Sequence, residues 1–230
     1  MFINRALTGS IAALAIAFSS MTAVADPAAS LALLQQGVLS KGPNGEDPSP
    51  AADLSLNAAE IAKIKAMNAT AAIVMHYGGN DWSRAQIEGL KFQFAEMGVE
   101  VIAVTDAGFK PEKQVADIET VMARQPDIIV SVPTDPAATA AAYKAAAAAG
   151  VKIVFMENTP PGMTAGVDYI SVVSADNYGN GVAAAHLMAQ ALGEDGGQIG
   201  LVFHAADFFV TRQRYDAFKV SVEDMYPILD

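Results

Sequence analysis

The sequence predicts an α/β fold built on a doubly wound parallel sheet, and three observations carry this prediction. Short apolar runs rich in Val and Ile start at residues 71, 99, 127 and 152, which is the spacing of repeated strand–helix units. The segments between these runs have the periodicity and end signals of helices. A second strand–helix series begins at residue 168. Such alternation gives parallel strands with helices on both faces of the sheet.

Composition places the chain among acidic globular proteins and excludes several classes of function. Its 230 residues are 52% hydrophobic and 17% charged, and they include no cysteine. Disulfide frameworks and thiolate metal sites are therefore excluded. With 14 Lys and Arg against 25 Asp and Glu, the net charge of −11 has the wrong sign for a general nucleic-acid or anionic-membrane binder. We expect no nucleic-acid partner.

The first 25 residues predict an export signal. Arg5 supplies a positive start, and residues 11–18 (IAALAIAF) form an apolar stretch too short to span a bilayer. Residues 23–25 (AVA) have the small-x-small pattern that signal peptidase accepts, so cleavage is expected after Ala25. The alternative is an uncleaved membrane anchor, and the lack of cysteine excludes a lipoprotein anchor.

Residues 26–70 are predicted to form a lead-in segment that packs against the domain. The stretch 42–50 (GPNGEDPSP) consists of turn and breaker residues without apolar periodicity, which is typical of a surface segment. Asn57 and Glu60 have the spacing of a capping box and open a short run of helical periodicity. No chemistry is apparent in this segment.

The remaining elements fall into a first lobe, residues 71–174, and a partial second lobe, residues 175–230. Strands are predicted at 71–77, 99–105, 127–132, 152–156, 168–174 and 198–203. Helices are predicted at 83–97, 111–125, 136–149, 178–192 and 211–225. The second lobe has room for only two helices and one or two strands, so its sheet would keep an open edge.

Ligands of doubly wound sheets bind where the strands end and the loops enter the helices. After the first strand, Asn80 offers both a donor and an acceptor, and it is followed by Asp81 and by Trp82, the one tryptophan of the chain. A flat indole stacks well on the apolar C–H face of a sugar. The alternative is that Asn80 or Asp81 merely caps the next helix.

Polar residues also follow the later strands. Asp135 precedes a proline after the third strand, and helix capping explains it fully. Glu157 and Asn158 stand side by side after the fourth strand without an obvious structural need, which favours a binding role. Phe208 leads into the last helix, where Arg212 places a cation against the helix dipole and so suggests a specific partner.

Taken together, these residues resemble the type I periplasmic sugar-binding proteins, the ribose- and galactose-binding group that serves ABC importers. The resemblance covers residues 71–230. It rests on the order and spacing of short motifs: Asn80 with an aromatic two residues later, Pro-Thr-Asp at 133–135, an acid at 157, Ser-Ala-Asp-Asn at 174–177, and the helix start at 212–218.

The resemblance implies two α/β lobes joined by a hinge, with a monosaccharide or polyol bound between them and no bond made or broken. It places ligand contacts at Asn80, Trp82, Glu157, Asn158 and Arg212. It also implies a periplasmic monomer without a cofactor, with an ABC importer permease as partner and a chemoreceptor as a further reader of the closed form.

Three departures from the family pattern predict a rebuilt pocket. Ser83 replaces a second aromatic after Trp82, Glu157 with Asn158 replaces an Asp-Arg pair, and Val132 stands where ribose binders have Asn. The ligand therefore stays open between a polyol, another monosaccharide and an autoinducer-like furanose. Because family members are longer, the resemblance also implies that the second lobe is incomplete and that the sequence is a fragment or a truncated product.

An exported dinucleotide-binding enzyme is the alternative. Gly179 and Gly181 satisfy the pattern G-x-G-x-x-A, although residues 176–178 intervene after the preceding strand and the glycines fall inside a predicted helix. The histidines are too scattered for a metal site: His186 is expected to be packed, whereas His76 and His204 end strands and could touch a ligand. We expect no enzymatic activity.

Overall fold

The computed structural model describes residues 25–203 and 208–229, which contain one sheet of five parallel strands in the order β2-β1-β3-β4-β5. The strands are β1 (Thr70–Met75), β2 (Glu100–Asp106), β3 (Ile128–Ser131), β4 (Lys152–Met156) and β5 (Ser171–Val173). The helices are α1 (Pro27–Leu34), α2 (Ala58–Met67), α3 (Asp81–Glu96), α4 (Pro111–Met122), α5 (Pro136–Ala148), α6 (Asn177–Leu192) and α7 (Phe209–Met225). The predicted α/β fold with a parallel sheet is confirmed.

The strand order reverses beside β1. Strand β2 pairs with one side of β1 and β3 pairs with the other, so the chain runs away from β1 in both directions. In open α/β sheets this reversal leaves a crevice at the carboxyl edge, where ligands bind. The fold thus points to the loops that follow β1 and β3.

Helical layers cover both faces of the sheet and hold these loops in place. On one face, Ile73 packs in a core with Phe94 of α3. On the other face, Val74 packs with Ile118 of α4 and Tyr143 of α5. Because both faces of β1 are buried, the strand has an unbroken apolar sequence rather than an alternating one. Each large apolar side chain buried in this way contributes about 1.5–3 kcal/mol.

Helices α6 and α7 pack against each other and share a core of their own. Gly181 permits their close approach, since a Cβ at this position would meet the backbone carbonyl of Arg214. The ring nitrogen Nδ1 of His186 lies 2.7 Å from the hydroxyl of Tyr226, and both side chains are buried. The prediction that His186 is packed rather than a ligand is confirmed.

The strand predicted at residues 198–203 is wrong. These residues are described and belong to no strand, and Val202 is fully exposed. A strand needs a neighbour for its backbone hydrogen bonds, and in this part of the described chain only the isolated bridge between Gly197 and Leu229 forms. The apolar composition of residues 198–203 indicated a strand, but it carries no information on whether a neighbouring strand is present to pair with it.

The lead-in segment packs against the domain as predicted, and it contains more structure than predicted. The capping box that opens α2 is confirmed, because Asn57 Oδ1 accepts from Glu60 N at 3.0 Å and Glu60 Oε2 accepts from Asn57 N at 2.8 Å. Helix α1 was not predicted, although its position on the surface agrees with the expectation for this segment. Asp26 caps it, Pro27 opens it, and it packs against α6.

Residues 1–24, which carry most of the predicted export signal, lie outside the described residues, as do 204–207 and Asp230. Within the described ranges no helix is both long enough and apolar enough to cross a membrane. The predicted lobe boundary after residue 174 falls between β5 and α6 and stays a prediction.

Candidate ligand site

The loop after β1 carries three of the candidate residues. Asn80 is exposed and caps α3, which begins two residues earlier than predicted: its Oδ1 accepts from Ser83 N at 2.8 Å. The capping alternative is therefore real, but it uses only the oxygen of the side chain. Among the described residues the Nδ2 donor of Asn80 has no protein partner. Asp81 forms an exposed ion pair with Arg84 one turn along the helix.

Trp82 belongs to an aromatic cluster that the sequence analysis did not predict. Its ring, 43% exposed, meets His76 edge-on at a centroid distance of 6.2 Å. His76 in turn meets Phe109 edge-on at 5.0 Å, and Tyr77 stacks on Phe109 at 4.8 Å. Phe109 could have been found from the sequence, because Gly108 followed by an aromatic residue just after the end of β2 is typical of a loop that approaches a ligand.

The backbone after β2 takes an unusual form to place this ring. Phe109 has a φ of +59°, a left-handed conformation that is strained for a residue other than glycine. Its amide donates to the carbonyl of His76 at 2.8 Å, which ties the loops behind β1 and β2 together. Strain of this kind persists where the surroundings fix it, and it is concentrated at functional sites.

His76 lies between the aromatic rings and a carboxylate. Burial lowers the pKa of His76, and the negative charge of Asp106 offsets part of that effect. The net shift favours the neutral form of the imidazole. Its Nδ1 is buried and has no hydrogen-bond partner among the described residues. His76 thus lies in the aromatic cluster of the candidate site, as its place at the end of β1 suggested.

The loop after β3 is braced from beneath by Gln114 of α4. This fully buried amide donates from Nε2 to the carbonyl of Val132 at 2.8 Å, and its Oε1 accepts from Thr134 N at 2.6 Å. Asp135 caps α5 by accepting from Ala138 N at 2.9 Å, so the structural interpretation of Asp135 is confirmed. Nothing in the local sequence marked Gln114 as the brace.

Glu157, after β4, also has a left-handed backbone, with a φ of +64°. Its Oε2 accepts from the hydroxyl of Ser174 at 2.9 Å, and the buried amide Nδ2 of Asn177 lies 3.5 Å from the same oxygen. Asn177 also accepts a hydrogen bond at Oδ1 from Arg214 Nε at 2.7 Å. The carboxylate is thus held at the point where the sheet meets α6 and α7.

Asn158 joins the sheet to the start of α7. Its side chain is buried, and its Oδ1 accepts from Val210 N at 3.5 Å. Phe208 is the residue before α7, and Arg212 lies one turn inside the helix rather than at its start, because α7 begins at Phe209. Asn158, Phe208 and Arg212 therefore form a second group of candidate residues, beside β4, while Asn80 and Trp82 belong to the group behind β1. His204 lies outside the described residues.

Buried polar atoms without a hydrogen-bond partner mark the same edge of the sheet. In the described ranges such side-chain atoms occur on His76, Ser83, Thr105, Thr134 and Thr159. Four of them lie at or just beyond the carboxyl ends of β1 to β4, and Ser83 lies in the first turn of α3, the helix that follows β1. Native proteins satisfy nearly all buried polar groups, so a local concentration of orphans calls for an explanation such as a bound polar molecule.

The glycines of the dinucleotide-like pattern have packing roles in this structure. Gly179 and Gly181 lie in the first two turns of α6, not in a strand–helix loop. A Cβ on Gly179 would meet the capping carboxylate of Asp176, and one on Gly181 would meet the backbone of α7. Among the described residues no group of three or more His, Asp or Glu side chains could hold a metal ion.

A scan against protein families supplies the deciding observation. Residues 71–229 match the family described as the periplasmic binding protein domain. The chain belongs to this family. The match begins in β1 and runs past the end of α7, so it contains both groups of candidate residues and leaves the lead-in segment outside.

Solved structures of ABC transporter solute-binding proteins share the fold. An ABC transporter solute-binding protein from Mycobacterium smegmatis with bound glycerol matches at a TM-score of 0.61 with 24% identity, over 70% of this chain and 54% of that chain. One from Agrobacterium vitis with bound α-D-tagatopyranose matches at 0.62 with 24% identity, over 70% and 56%. One from Clostridium phytofermentans with bound β-D-glucose matches at 0.62 with 14% identity, over 70% and 50%.

The chain thus spans about half the length of the structures that it matches. At these identities the likeness shows the fold. A search of curated proteins gives no match.

Proposed function

We propose that this periplasmic binding protein captures a neutral sugar or polyol at the carboxyl edge of its sheet and delivers it to an ABC importer. One observation carries the proposal: orphaned polar atoms, an exposed tryptophan and two strained backbone positions gather at the single edge where the strand order reverses. Family membership and the solutes bound by the structural relatives support the same chemistry.

The polar groups on this edge suit hydroxyl groups. A sugar hydroxyl both donates and accepts, and Asn80 offers an unused amide donor while Thr134 offers an unpartnered hydroxyl. Trp82 adds a flat apolar surface for the C–H face of the ring. Together these features support a ligand that is polar at its rim and apolar on one face.

The carboxylates on the edge already have protein partners. Asp81 is paired with Arg84, Asp135 is occupied as a helix cap, and Asp106 accepts from the amide of Gly108 at 2.8 Å. Only Asp81 has a cationic partner, whereas Asp106 and Asp135 accept from neutral amides, so the choice of a neutral solute rests on the solutes bound by the structural relatives. Neutral hydrogen bonds net only about 0.5–1.5 kcal/mol each, so several are needed to reach the roughly 8 kcal/mol of micromolar binding.

Binding without chemistry is the proposed activity. The structural relatives are named as transporter subunits or solute-binding proteins, and the described residues offer no metal cluster. The importer permease is the proposed partner, with a chemoreceptor as a second reader. Export through the predicted signal, cleavage after Ala25 and a monomeric state belong to the same proposal.

The lone tryptophan makes the proposal directly testable. Because Trp82 is the one tryptophan of the chain, a change in tryptophan fluorescence reports on the candidate site itself. We expect titration with D-tagatose, D-glucose or glycerol to give a saturable change for at least one of them, with a Kd on the order of micromolar. NAD serves as the control for the dinucleotide alternative.

Two results would contradict the proposal. One is the absence of both a saturable fluorescence change and calorimetric heat across a wider panel of neutral monosaccharides and polyols. The other is tight binding of NAD, which would favour the dinucleotide-binding alternative at Gly179 and Gly181.

A further inference from the structure

Residues 26–47, here called the N-terminal arm, lie outside the family match yet contact the start of α6, which lies inside it. The arm contains α1 and the extended chain that follows it. Helix α1 packs on α6, and the arm then crosses the N-terminus of α6. The family match therefore does not include the arm.

Ser40 is the centre of the crossing. Its amide and its hydroxyl both donate to Asp176 Oδ1 at 2.8 Å, and the neighbouring amide of Leu39 donates to Oδ2 at 3.0 Å. The Ser40 hydroxyl also accepts from Tyr178 N at 2.8 Å. Asp176 itself caps α6 by accepting from Gly179 N at 2.9 Å. Ser40 thus acts as a second cap of α6 from 136 residues away.

The capped helix start leads directly to the candidate site. Asn177, the residue after Asp176, is buried and uses Nδ2 to donate to Ser174 Oγ at 2.7 Å and to approach Glu157 Oε2 at 3.5 Å. The Ser174 hydroxyl donates to the same carboxylate oxygen. A continuous chain of hydrogen bonds and neighbouring residues therefore runs from Ser40 to Glu157.

The arm is anchored on both sides of this junction. The carbonyl of Lys41 accepts from Gln213 Nε2 of α7 at 3.2 Å. Near the sheet, Asn44 Nδ2 lies 3.4 Å from the hydroxyl of Tyr169. The arm therefore contacts both the end of the sheet near Tyr169 and the helix pair α6–α7.

We propose that Ser40 is a positioning residue for the ligand site: through Asp176 and Asn177 it holds Glu157 in its strained, ligand-ready conformation. The ligand part of this inference rests on the proposed function, whereas the positioning part does not. Without the Ser40 hydroxyl, the start of α6 loosens and the Glu157 carboxylate loses its fixed direction.

The first test measures position without any ligand. In Ser40→Ala we expect the amides of Glu157 and Asn177 to exchange their hydrogens faster than in the wild type, because the start of α6 has lost a cap. Neither amide donates to Ser40 itself, so faster exchange would report a change that is transmitted through Asp176. Ser55→Ala is the matched control, because the Ser55 hydroxyl donates only to the nearby carbonyl of Ala52. Unchanged exchange at Glu157 and Asn177 in Ser40→Ala would overturn the proposal.

The second test measures ligand affinity in a double-mutant cycle with Glu157→Gln. Ser40→Ala should weaken sugar binding about 3- to 10-fold in the wild-type background and less than about 2-fold in the Glu157→Gln background. Equal losses in both backgrounds would overturn the proposal, because a structural effect that bypasses Glu157 is additive. Loss of one cap leaves the protein folded, as thermal unfolding will verify.

The two failures are distinguishable. If no variant and no wild-type protein binds sugar, the proposed function fails, and the exchange experiment alone decides whether Ser40 positions Glu157. If the wild type binds sugar and exchange at Glu157 is unaffected by Ser40→Ala, the proposed function stands and the positioning role is refuted.

Discussion

Replacing Asn80 by aspartate separates the two tasks that this side chain can perform. Its Oδ1 accepts from Ser83 N at 2.8 Å and caps α3, and aspartate caps a helix as well as asparagine does. Its Nδ2 becomes a second carboxylate oxygen, which cannot donate to a ligand. Asn80→Asp should therefore preserve the fold and weaken binding.

The size of the effect follows from the lost donor. Leaving a ligand oxygen without its hydrogen bond in a closed site costs about 1–3 kcal/mol. The Kd should rise about 5- to 150-fold. The free energy of unfolding should change by less than about 0.5 kcal/mol, because the cap is kept and a negative charge at a helix N-terminus is favourable.

Calorimetric titration with the best sugar from the fluorescence panel measures the affinity, and urea unfolding measures the stability. Asn57→Asp is the matched control, since Asn57 caps α2 with the same oxygen but lies outside the family match and away from the site. Wild-type affinity in Asn80→Asp would refute the assignment of Asn80 as a ligand donor. An equal loss in Asn57→Asp would refute the claim that the effect is local.

Three other outcomes are expected. Trp82→Ala should weaken sugar binding by about 1–3 kcal/mol in calorimetry without unfolding the protein, whereas Phe92→Ala, which truncates an exposed ring of α3, should not. Gly181→Ala should lower the free energy of unfolding by about 1–3 kcal/mol, because the new Cβ meets α7. Gly89→Ala, whose new Cβ points into open space on α3, should raise it by up to about 1 kcal/mol. If urea unfolding gives similar changes for the two variants, the packing role of Gly181 is contradicted. Desolvation raises the pKa of Asp176, but hydrogen bonds from the amides of residues 39, 179 and 40 and from the Ser40 hydroxyl lower it by more. The net effect is a lowered pKa. The stability that Asp176 contributes is therefore complete above its unfolded pKa of about 3.9 and is lost as the pH falls through the folded value, so the deficit of Asp176→Asn should be largest near neutral pH and shrink in acid. A deficit that is independent of pH in urea unfolding would contradict this account.

The sheet could be predicted because its strands are buried on both faces. Such strands must be continuously apolar, and the run at 71–75 (AAIVM) is visible without any structure. The same rule failed at 198–203, because an apolar run becomes a strand only beside a partner strand, and local sequence does not state whether a partner is present. Helix α1 was missed although Asp26 and Pro27 form a start signal, since its sequence (PAASLALL) is apolar or small throughout and so shows no helical alternation of apolar and polar positions.

The candidate site was predicted in part for a similar reason. Strand ends and family motifs located Asn80, Trp82 and Glu157, because these residues occupy fixed positions relative to the strands. Phe109 and Gln114 were missed, since each acts through contacts with residues distant in the chain. Likewise, no local pattern could reveal the contacts of the arm with α6.

The central claim is that a neutral sugar or polyol binds at the carboxyl edge of the sheet, and an NMR titration of the ¹⁵N-labelled chain tests it most directly. With the sugar that changes Trp82 fluorescence, the account predicts shifts of the Trp82 indole signal and of amides in the segments 76–83, 105–109, 132–135 and 157–159, which follow four of the strands. Shifts confined to other surfaces, or a spectrum unaltered by every neutral sugar and polyol tried, would contradict it.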